Sequence, residues 1–178
     1  TENIFSDLHK NIPGYPLLAH FMNLNSSLKN TDDTQKIDKI IKNWEESQNK
    51  INKEKRLKFF KTHNLLTSIN LDGQTFHFTN TKNTLGVIYI VRDPRNIITS
   101  IKNHFFLSSY NEAFEMMIDK KRWIGTTKDR VPESLSSWDQ HFDSWSFFPK
   151  NYILFKYEDL LLNPKKQILR LYEYLQKF

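Results

Sequence analysis

A turn between an apolar run and a helical pattern, within the segment from Ile88 to His104, most constrains how this chain can fold. Residues 85–91 form a continuous apolar run, which is typical of a β-strand covered on both faces. After the turn Arg92-Asp93-Pro94, residues 97–106 show the apolar spacing of a helix, and proline is favoured near the first turn of a helix. The segment therefore predicts a strand, a charged turn and a helix in immediate succession.

The same alternation of strands and helices extends over the rest of the chain. Strands are also expected at residues 56–60 and 152–157, and helices at residues 111–123, 134–145 and from Pro164 onwards. A polar stretch at residues 70–83, around Asp72-Gly73, predicts a hairpin or a loop. The inner face of the last helix is expected to carry Ile168, Leu171, Tyr172 and Leu175.

These elements predict an α/β fold with a three-layer parallel sheet flanked by helices, because strands alternate with helices along the chain. One domain is expected over residues 1–178. Its residues 1–55 would form a region of loops and one helix that begins at Asp32 or Thr34, and residues 56–178 would form the core. The basic segment at residues 125–132 is expected to be a mobile loop.

Composition narrows the class of protein. The chain lacks cysteine, which excludes disulfides, cysteine-ligated metal sites and a thiol nucleophile, and which fits a reducing compartment such as the cytoplasm. No apolar run approaches the roughly 20 residues that a membrane span needs. The net charge of +6 is explained either by a lysine-rich solvated surface or by attraction to an anionic ligand or a nucleic acid.

Polar side chains follow each predicted strand of the sheet. Lys61-Thr62-His63 follows the first strand, Arg92-Asp93 the second, and Tyr157-Glu158-Asp159 ends the third. The carboxyl ends of parallel strands share one edge, where the ligands of such sheets bind, and the guanidinium of Arg92 with the hydroxyl of Ser100 suits a phosphate. Each group also has a structural interpretation: an ion pair for Arg92-Asp93, a surface or core position for His63, and a helix cap for Tyr157-Glu158-Asp159.

Four motifs resemble those of the sulfotransferase family, and they follow one another along the chain in the family's order. Residues 89–100, Tyr-Ile-Val-Arg-Asp-Pro-Arg-Asn-Ile-Ile-Thr-Ser, resemble the family's 3′-phosphate-binding segment, and residues 59–63, Phe-Phe-Lys-Thr-His, resemble its segment with the catalytic histidine. Residues 137–145 are similar to the helix before the last core strand, and residues 153–160 to the strand and turn whose tyrosine approaches the adenine. The resemblance implies a fold like that of the P-loop nucleoside triphosphate hydrolases, with 3′-phosphoadenosine 5′-phosphosulfate as co-substrate and no metal.

The resemblance also implies a role for individual residues. His63 would be the general base that takes the proton of the acceptor, since the pKa of an ordinary imidazole is near neutrality. Lys61 would offset charge on the transferring group, and Thr62 would line the substrate site beside both. The acceptor is expected to be a small molecule or a carbohydrate with a hydroxyl or an amine, and no nucleic acid partner is expected. The nucleotide would be bound by Arg92, Ser100 and Tyr157.

Two segments of the family pattern are absent from the sequence. A phosphate-binding loop of the type Pro-Lys-Ser-Gly-Thr-Thr-Trp would hold the 5′-phosphosulfate, and a late Arg-Lys-Gly segment would support the 3′-phosphate. We therefore expect a sulfotransferase domain that is incomplete at both ends and has little activity of its own. The alternatives are a complete but degenerate nucleotide- or anion-binding protein, a related nucleotide kinase that requires Mg²⁺, and a nucleic-acid-binding module.

Overall fold

A computed structural model describes residues 57, 59–77, 81–82, 84–124 and 133–178. The predicted helix that ends near residue 55 and the predicted loop at residues 125–132 lie outside these ranges. No helix within them is long and apolar enough to cross a membrane. The described elements, in chain order, are β1 (Ser68–Leu71), β2 (Gln74–His77), β3 (Gly86–Val91), α1 (Pro94–His104), α2 (Tyr110–Ile118), β4 (Trp123–Ile124), β5 (Glu133–Ser134), α3 (Trp138–Ser146), β6 (Asn151–Lys156), α4 (Tyr157–Leu162) and α5 (Pro164–Leu175).

The chain divides into two compact units. The first unit comprises Thr1–Asn83 and Trp123–Leu135 and contains β1, β2, β4 and β5. The second unit comprises Thr84–Arg122 and Ser136–Phe178 and contains β3, β6 and the described helices. The residues expected to bind the nucleotide therefore lie in the second unit, and the segment expected to carry the catalytic base lies in the first.

The centre of the second unit is a parallel pair of strands, β3 and β6. Their register runs from Gly86 opposite Asn151 to Val91 opposite Lys156, so both strands end at the same edge. Both strands were predicted from the sequence, and each is confirmed to within one residue at either end. Parallel pairing is the arrangement that the alternation of strands and helices predicts.

The two faces of β3 differ in how they are covered. Side chains alternate between the faces of a strand. On one face, the ring of Tyr89 packs edge-on against Phe142 of α3, and its hydroxyl forms a hydrogen bond of 2.9 Å with Nδ1 of His141. On the other face, Ile88 and Ile90 are 37% and 57% exposed. The prediction that this strand is covered on both faces is therefore wrong, because an apolar run does not by itself supply a covering element on each side.

The first strand predicted for the parallel sheet, at residues 56–60, is not formed by the described residues of that range. Residues 57, 59 and 60 are irregular, and Lys61 forms an isolated bridge. A strand needs a hydrogen-bonded neighbour along its length, and the β-propensity of the aromatic residues here does not replace one. In the described part of the chain, the parallel sheet consists of β3 and β6.

The described strands of the first unit form short antiparallel pairs. β1 and β2 pair from Ser68 opposite His77 to Leu71 opposite Gln74, so of the two structures predicted around Asp72-Gly73, a hairpin or a loop, the chain forms the hairpin. Both turn residues have positive φ, 53° and 77°, as the favoured two-residue turn of a hairpin requires. β4 and β5 pair over two residues each. The hairpin is thus specified by local turn chemistry.

Two helices of the second unit are shorter than predicted. α2 ends before Asp119, because the carboxylate of Asp119 accepts the backbone N–H of Lys121 at 2.8 Å in a side-chain turn that competes with the helix. α3 begins only after Ser136, whose φ of 57° lies outside the helical region. The predicted helical residues 119–123 and 134–137 therefore lie outside helices.

The last helix, α5, begins at Pro164 as predicted, but its inner face differs from the prediction. Of the four predicted residues, Leu171 and Leu175 are half-buried but Ile168 and Tyr172 are exposed. Gln167 and Tyr174 are buried instead. The expected face was chosen from apolar residues alone. The observed face is rotated from it, because polar groups on α5 bond to the parallel strands.

Tyr174 is the residue that fastens α5 to the amino ends of β3 and β6. Its hydroxyl shares its one proton between the carbonyl oxygens of Asn151 at 2.9 Å and Val87 at 3.2 Å, and burial raises its pKa. Gly86 leaves room for this contact. A Cβ at that position would collide with Oη of Tyr174 and lie 2.7 Å from Cζ of Phe178.

Candidate functional site

Arg92 and Tyr157 lie side by side at the edge where β3 and β6 end. Val91 and Lys156 are the last paired residues of the two strands, and Arg92 and Tyr157 follow them directly. The guanidinium carbon of Arg92 lies 4.9 Å from the centroid of the Tyr157 ring, within the range of a cation–π contact. The register of the parallel strands thus brings together two residues from distant parts of the sequence.

The guanidinium of Arg92 has a donor that the described residues leave unused. Its Nε is buried and is hydrogen-bonded to none of them. The carboxylate of Asp93 instead accepts hydrogen bonds from the backbone N–H of Arg95 at 2.9 Å and from Nε of Arg95 at 3.0 Å. The interpretation of Arg92-Asp93 as an ion pair is therefore wrong. A half-buried guanidinium with an unused donor is suited to an anionic ligand.

Asp93 also caps α1, the helix that carries Ser100. Hydrogen bonds to its carboxylate, first of all from the Arg95 guanidinium, lower the pKa of Asp93 to about 2, so this group stays ionised at neutral pH. The helix begins before its apolar pattern because Pro94 occupies a position in its first turn. Ser100 is exposed on α1, and the described contacts do not join it to the arginine or the tyrosine of the strand edge.

Glu158 links the two turns that follow β3 and β6. Its Oε1 accepts the backbone N–H of Asp93 at 3.0 Å, and this bond is the largest of the effects that lower the pKa of Glu158. The bond connects the turn that carries Arg92 to α4, which begins at Tyr157. Sequence reasoning named Glu158 among the polar groups at the strand edge and as part of a helix cap, but not as the acceptor for Asp93. The available signal was that an acidic residue directly follows both Arg92 and Tyr157.

The segment Lys61-Thr62-His63, here called the histidine loop, is exposed and irregular apart from the bridge at Lys61, and it belongs to the first unit. The hydroxyl oxygen of Thr62 accepts hydrogen bonds from the backbone N–H of Asn64 at 3.1 Å and from its side-chain amide at 3.4 Å. The hydroxyl keeps its own proton, which it can donate to another group. The convergence of the histidine loop with the edge formed by Arg92 and Tyr157 stays a prediction.

Asn64 directly follows the histidine loop and is buried, with 1% of its surface exposed. Its Oδ1 accepts the backbone N–H of Ser134 at 2.7 Å, and Leu65 donates its own N–H to the Ser134 carbonyl at 2.8 Å. These bonds fasten the histidine loop to β5. Sequence reasoning missed Asn64. The available signal was a polar residue beside the apolar pair Leu65-Leu66, and no local pattern pointed to Ser134.

The sequence from residue 3 to residue 178 matches a family model described as a sulfotransferase domain. The matched range is nearly the whole chain, and it includes both the histidine loop and the edge formed by Arg92 and Tyr157. No curated protein and no solved structure gives a significant match.

Proposed function

The chain belongs to the sulfotransferase domain family, and we propose that it transfers a sulfuryl group from 3′-phosphoadenosine 5′-phosphosulfate to a hydroxyl or an amine of a small molecule or carbohydrate. The family implies a P-loop-like α/β fold and supports sulfuryl transfer in general. The donor, the base and the acceptor are the specific part of the proposal. The observation that carries it is the guanidinium of Arg92 beside the ring of Tyr157, with a buried Nε that has no hydrogen-bond partner among the described residues.

The nucleotide end of the donor would be held at the strand edge. Arg92 can offer N–H groups of its guanidinium to two oxygens of the 3′-phosphate, since a guanidinium binds such groups in a bidentate way. Tyr157 presents an aromatic ring for the adenine, and Ser100 would add a hydroxyl donor from α1. These are the three nucleotide-binding residues that the family resemblance implies.

Two carboxylates near Arg92 would repel a phosphate if they were not already engaged. Asp93 is paired with the guanidinium of Arg95, which offsets its charge. Glu158 accepts the backbone N–H of Asp93, so its oxygen faces a partial positive charge. The positive charge of Arg92 is thus left for the ligand, because no described carboxylate forms an ion pair with it.

In the proposed reaction, an oxygen or nitrogen of the acceptor forms a bond to the sulfur of the donor. The bond between that sulfur and the oxygen bridging it to the 5′-phosphate breaks, and adenosine 3′,5′-bisphosphate leaves with the bonding electrons. His63 takes the proton that the acceptor loses. The ammonium group of Lys61 would stabilise the negative charge that grows on the bridging oxygen, and Thr62 would line the site.

Three further expectations belong to this proposal and stay predictions: a cytoplasmic location, the lack of a nucleic acid partner, and catalysis without a metal. Within the described ranges, no group of three or more His, Asp or Glu side chains is arranged to hold a metal ion. Two alternatives differ in what the protein does with a nucleotide. A degenerate relative binds it without group transfer, and a kinase transfers a phosphoryl group with Mg²⁺.

The binding half of the proposal is tested by calorimetry with adenosine 3′,5′-bisphosphate and the full-length protein. Arg92→Ala should weaken binding by roughly 10- to 100-fold, the range expected when hydrogen bonds to a charged group are lost. Lys165→Ala, which removes an equal charge from an exposed position on α5, is the matched control and should change affinity little. Equal affinity of the wild type and Arg92→Ala would rule out the assigned phosphate site.

The catalytic half is tested by turnover of the sulfate donor with a panel of hydroxyl and amine acceptors, in the full-length protein, because the chain by itself is expected to have little activity. His63→Ala should lower kcat by roughly 100- to 10,000-fold, as the loss of a general base does, and should leave the bisphosphate affinity unchanged. Near-normal turnover by His63→Ala would exclude it as the base. Nucleotide binding without any transfer would favour the degenerate alternative, and Mg²⁺-dependent phosphoryl transfer would favour the kinase.

A further inference from the structure

We propose that Asn64 is a positioning residue, which holds the histidine loop in the geometry that His63 needs to take a proton. This inference rests on the proposed function, because it concerns how the base is oriented. Solvent exposure changes abruptly along the four consecutive residues from Lys61 to Asn64. Three exposed residues with reactive side chains are followed by an asparagine that is 1% exposed.

The side chain of Asn64 connects two distant segments of the first unit. Oδ1 accepts the backbone N–H of Ser134 at 2.7 Å, and Nδ2 donates to the hydroxyl oxygen of Thr62 at 3.4 Å. Leu65 adds a backbone hydrogen bond of 2.8 Å to the carbonyl of Ser134. The backbone of Ser134 therefore donates one hydrogen bond to Asn64 and accepts another from Leu65. Two bonds to consecutive residues fix both the position and the orientation of the end of the histidine loop.

The hydrogen bonds of Asn64 to Thr62 join the residues directly before and after His63. The backbone N–H of Asn64 donates to Oγ1 of Thr62 at 3.1 Å, a tight turn in which a threonine side chain bonds to the backbone two residues later. His63 is the central residue of that turn. Its Cα is thus held by a turn that is itself fastened to β5, although its side chain is exposed.

The chemistry of the site favours asparagine over other residues. The position needs an acceptor for the Ser134 N–H and a donor for the Thr62 oxygen on one short side chain. Aspartate supplies the acceptor but not the donor, and it would bring a charge into a buried position. Alanine supplies neither and leaves the Ser134 N–H without its acceptor. Glutamine has both groups, but its extra methylene has little room at 1% exposure.

A small displacement of His63 is enough to reduce catalysis. General-base catalysis requires the base within hydrogen-bond reach of the proton, and a misplacement of about 1 Å can cost roughly 100-fold in rate. The bond between Asn64 and Ser134 belongs to the first unit, whereas Arg92 and Tyr157 belong to the second. Loss of Asn64 should therefore affect proton transfer and leave nucleotide binding intact.

The test compares Asn64→Ala with the wild-type full-length protein, and uses Asn103→Ala, an exposed asparagine on α1, as the matched control. Asn64→Ala should lower kcat by roughly 10- to 100-fold while affinity for adenosine 3′,5′-bisphosphate stays within about twofold. Asn64→Asp, which keeps the acceptor for Ser134, should recover part of kcat. If Asn64→Ala does not fold, the kcat and the bisphosphate affinity of Asn64→Asp are compared with those of the wild type instead. An unchanged kcat, or a loss that merely follows the unfolded fraction measured by circular dichroism, would overturn the proposal.

A second measurement separates this inference from the proposed function. The ring protons of His63 are assigned in the NMR spectrum by comparison with His63→Gln, and their shifts and line widths are followed in each Asn64 variant. We expect shifted or broadened His63 signals in Asn64→Ala and unchanged signals in Asn103→Ala. If the wild type transfers no sulfuryl group, the proposed function fails and the NMR comparison alone decides. Identical His63 signals in the wild type and Asn64→Ala would then refute the positioning role.

Discussion

The backbone N–H of Asp93 donates a hydrogen bond of 3.0 Å to Oε1 of Glu158. The bond joins the turn after β3 to the first turn of α4, and so connects the strand ends that carry Arg92 and Tyr157. Its two partners are far apart in the sequence and come together only because β3 and β6 are parallel and in register. We therefore regard Glu158 as a support for the proposed phosphate site.

Glu158→Ala and Glu158→Gln should differ in their affinity for adenosine 3′,5′-bisphosphate. Both substitutions remove a negative charge near Arg92, but only glutamine keeps an oxygen that can accept the Asp93 N–H. The alanine variant should bind roughly 2- to 10-fold more weakly than the glutamine variant, the usual range for one net hydrogen bond. Calorimetry measures the difference, and Glu173→Ala on α5 reports the effect of charge alone. Equal affinities of the two Glu158 variants would show that the bond does not support the site.

The protein should become less stable as the pH falls from about 4 towards 2, because Asp93 becomes protonated and loses its favourable interactions with Arg95. The pKa of Asp93 is lowered from 3.8 to about 2, chiefly by the Arg95 guanidinium, so the folded state binds this proton less readily than the unfolded state. The contribution of Asp93 to the free energy of unfolding is fully present above its ordinary pKa of 3.8. It is lost as the pH falls through the folded-state pKa of about 2. Asp93→Asn should therefore show a weaker acid dependence of the unfolding midpoint over this range. Arg95→Ala should show the same change, and an acid dependence equal to that of the wild type in both would contradict the ion pair.

Gly86→Ala should lower the free energy of unfolding by about 1–3 kcal/mol, because the added methyl group overlaps the hydroxyl of Tyr174. Tyr174→Phe alone should cost about 1 kcal/mol, since the carbonyl groups of Asn151 and Val87 lose a donor. In the double variant, the oxygen that the methyl group meets is gone, so the two costs should be less than additive. Urea unfolding of the four proteins measures the cycle. Fully additive costs would mean that the two residues do not share this contact.

The parts of the fold that could be predicted depend on local chemistry. The strands β3 and β6 were predicted correctly because each is a short segment with apolar residues at its centre and charged residues directly after it. Asp72-Gly73 predicted its hairpin because few residue pairs adopt two consecutive positive φ angles at low cost. Pro94 and Pro164 marked the beginnings of α1 and α5 because proline has no N–H to leave unpaired there.

The parts that could not be predicted depend on partners far away in the sequence. The face of α5 is set by Tyr174, whose hydroxyl reaches carbonyl groups on two strands, and an apolar pattern contains no information about such bonds. The same holds for the candidate site. Arg92 was identified from its position after a strand, whereas the roles of Glu158 and Asn64 depend on Asp93 and Ser134, which only the folded chain brings near.

The hydrogen bonds of Tyr174 lie at the amino ends of β3 and β6, and the pair formed by Arg92 and Tyr157 lies at the carboxyl ends of the same strands. Each strand has six residues, and such strands are about 20 Å long. Stabilising substitutions often reduce activity when they stiffen a ligand site. In this protein, engineering for heat tolerance can concentrate on the exposed positions of α5 next to Tyr174, for example Tyr172, which lie towards the end of the strands away from the proposed ligand site.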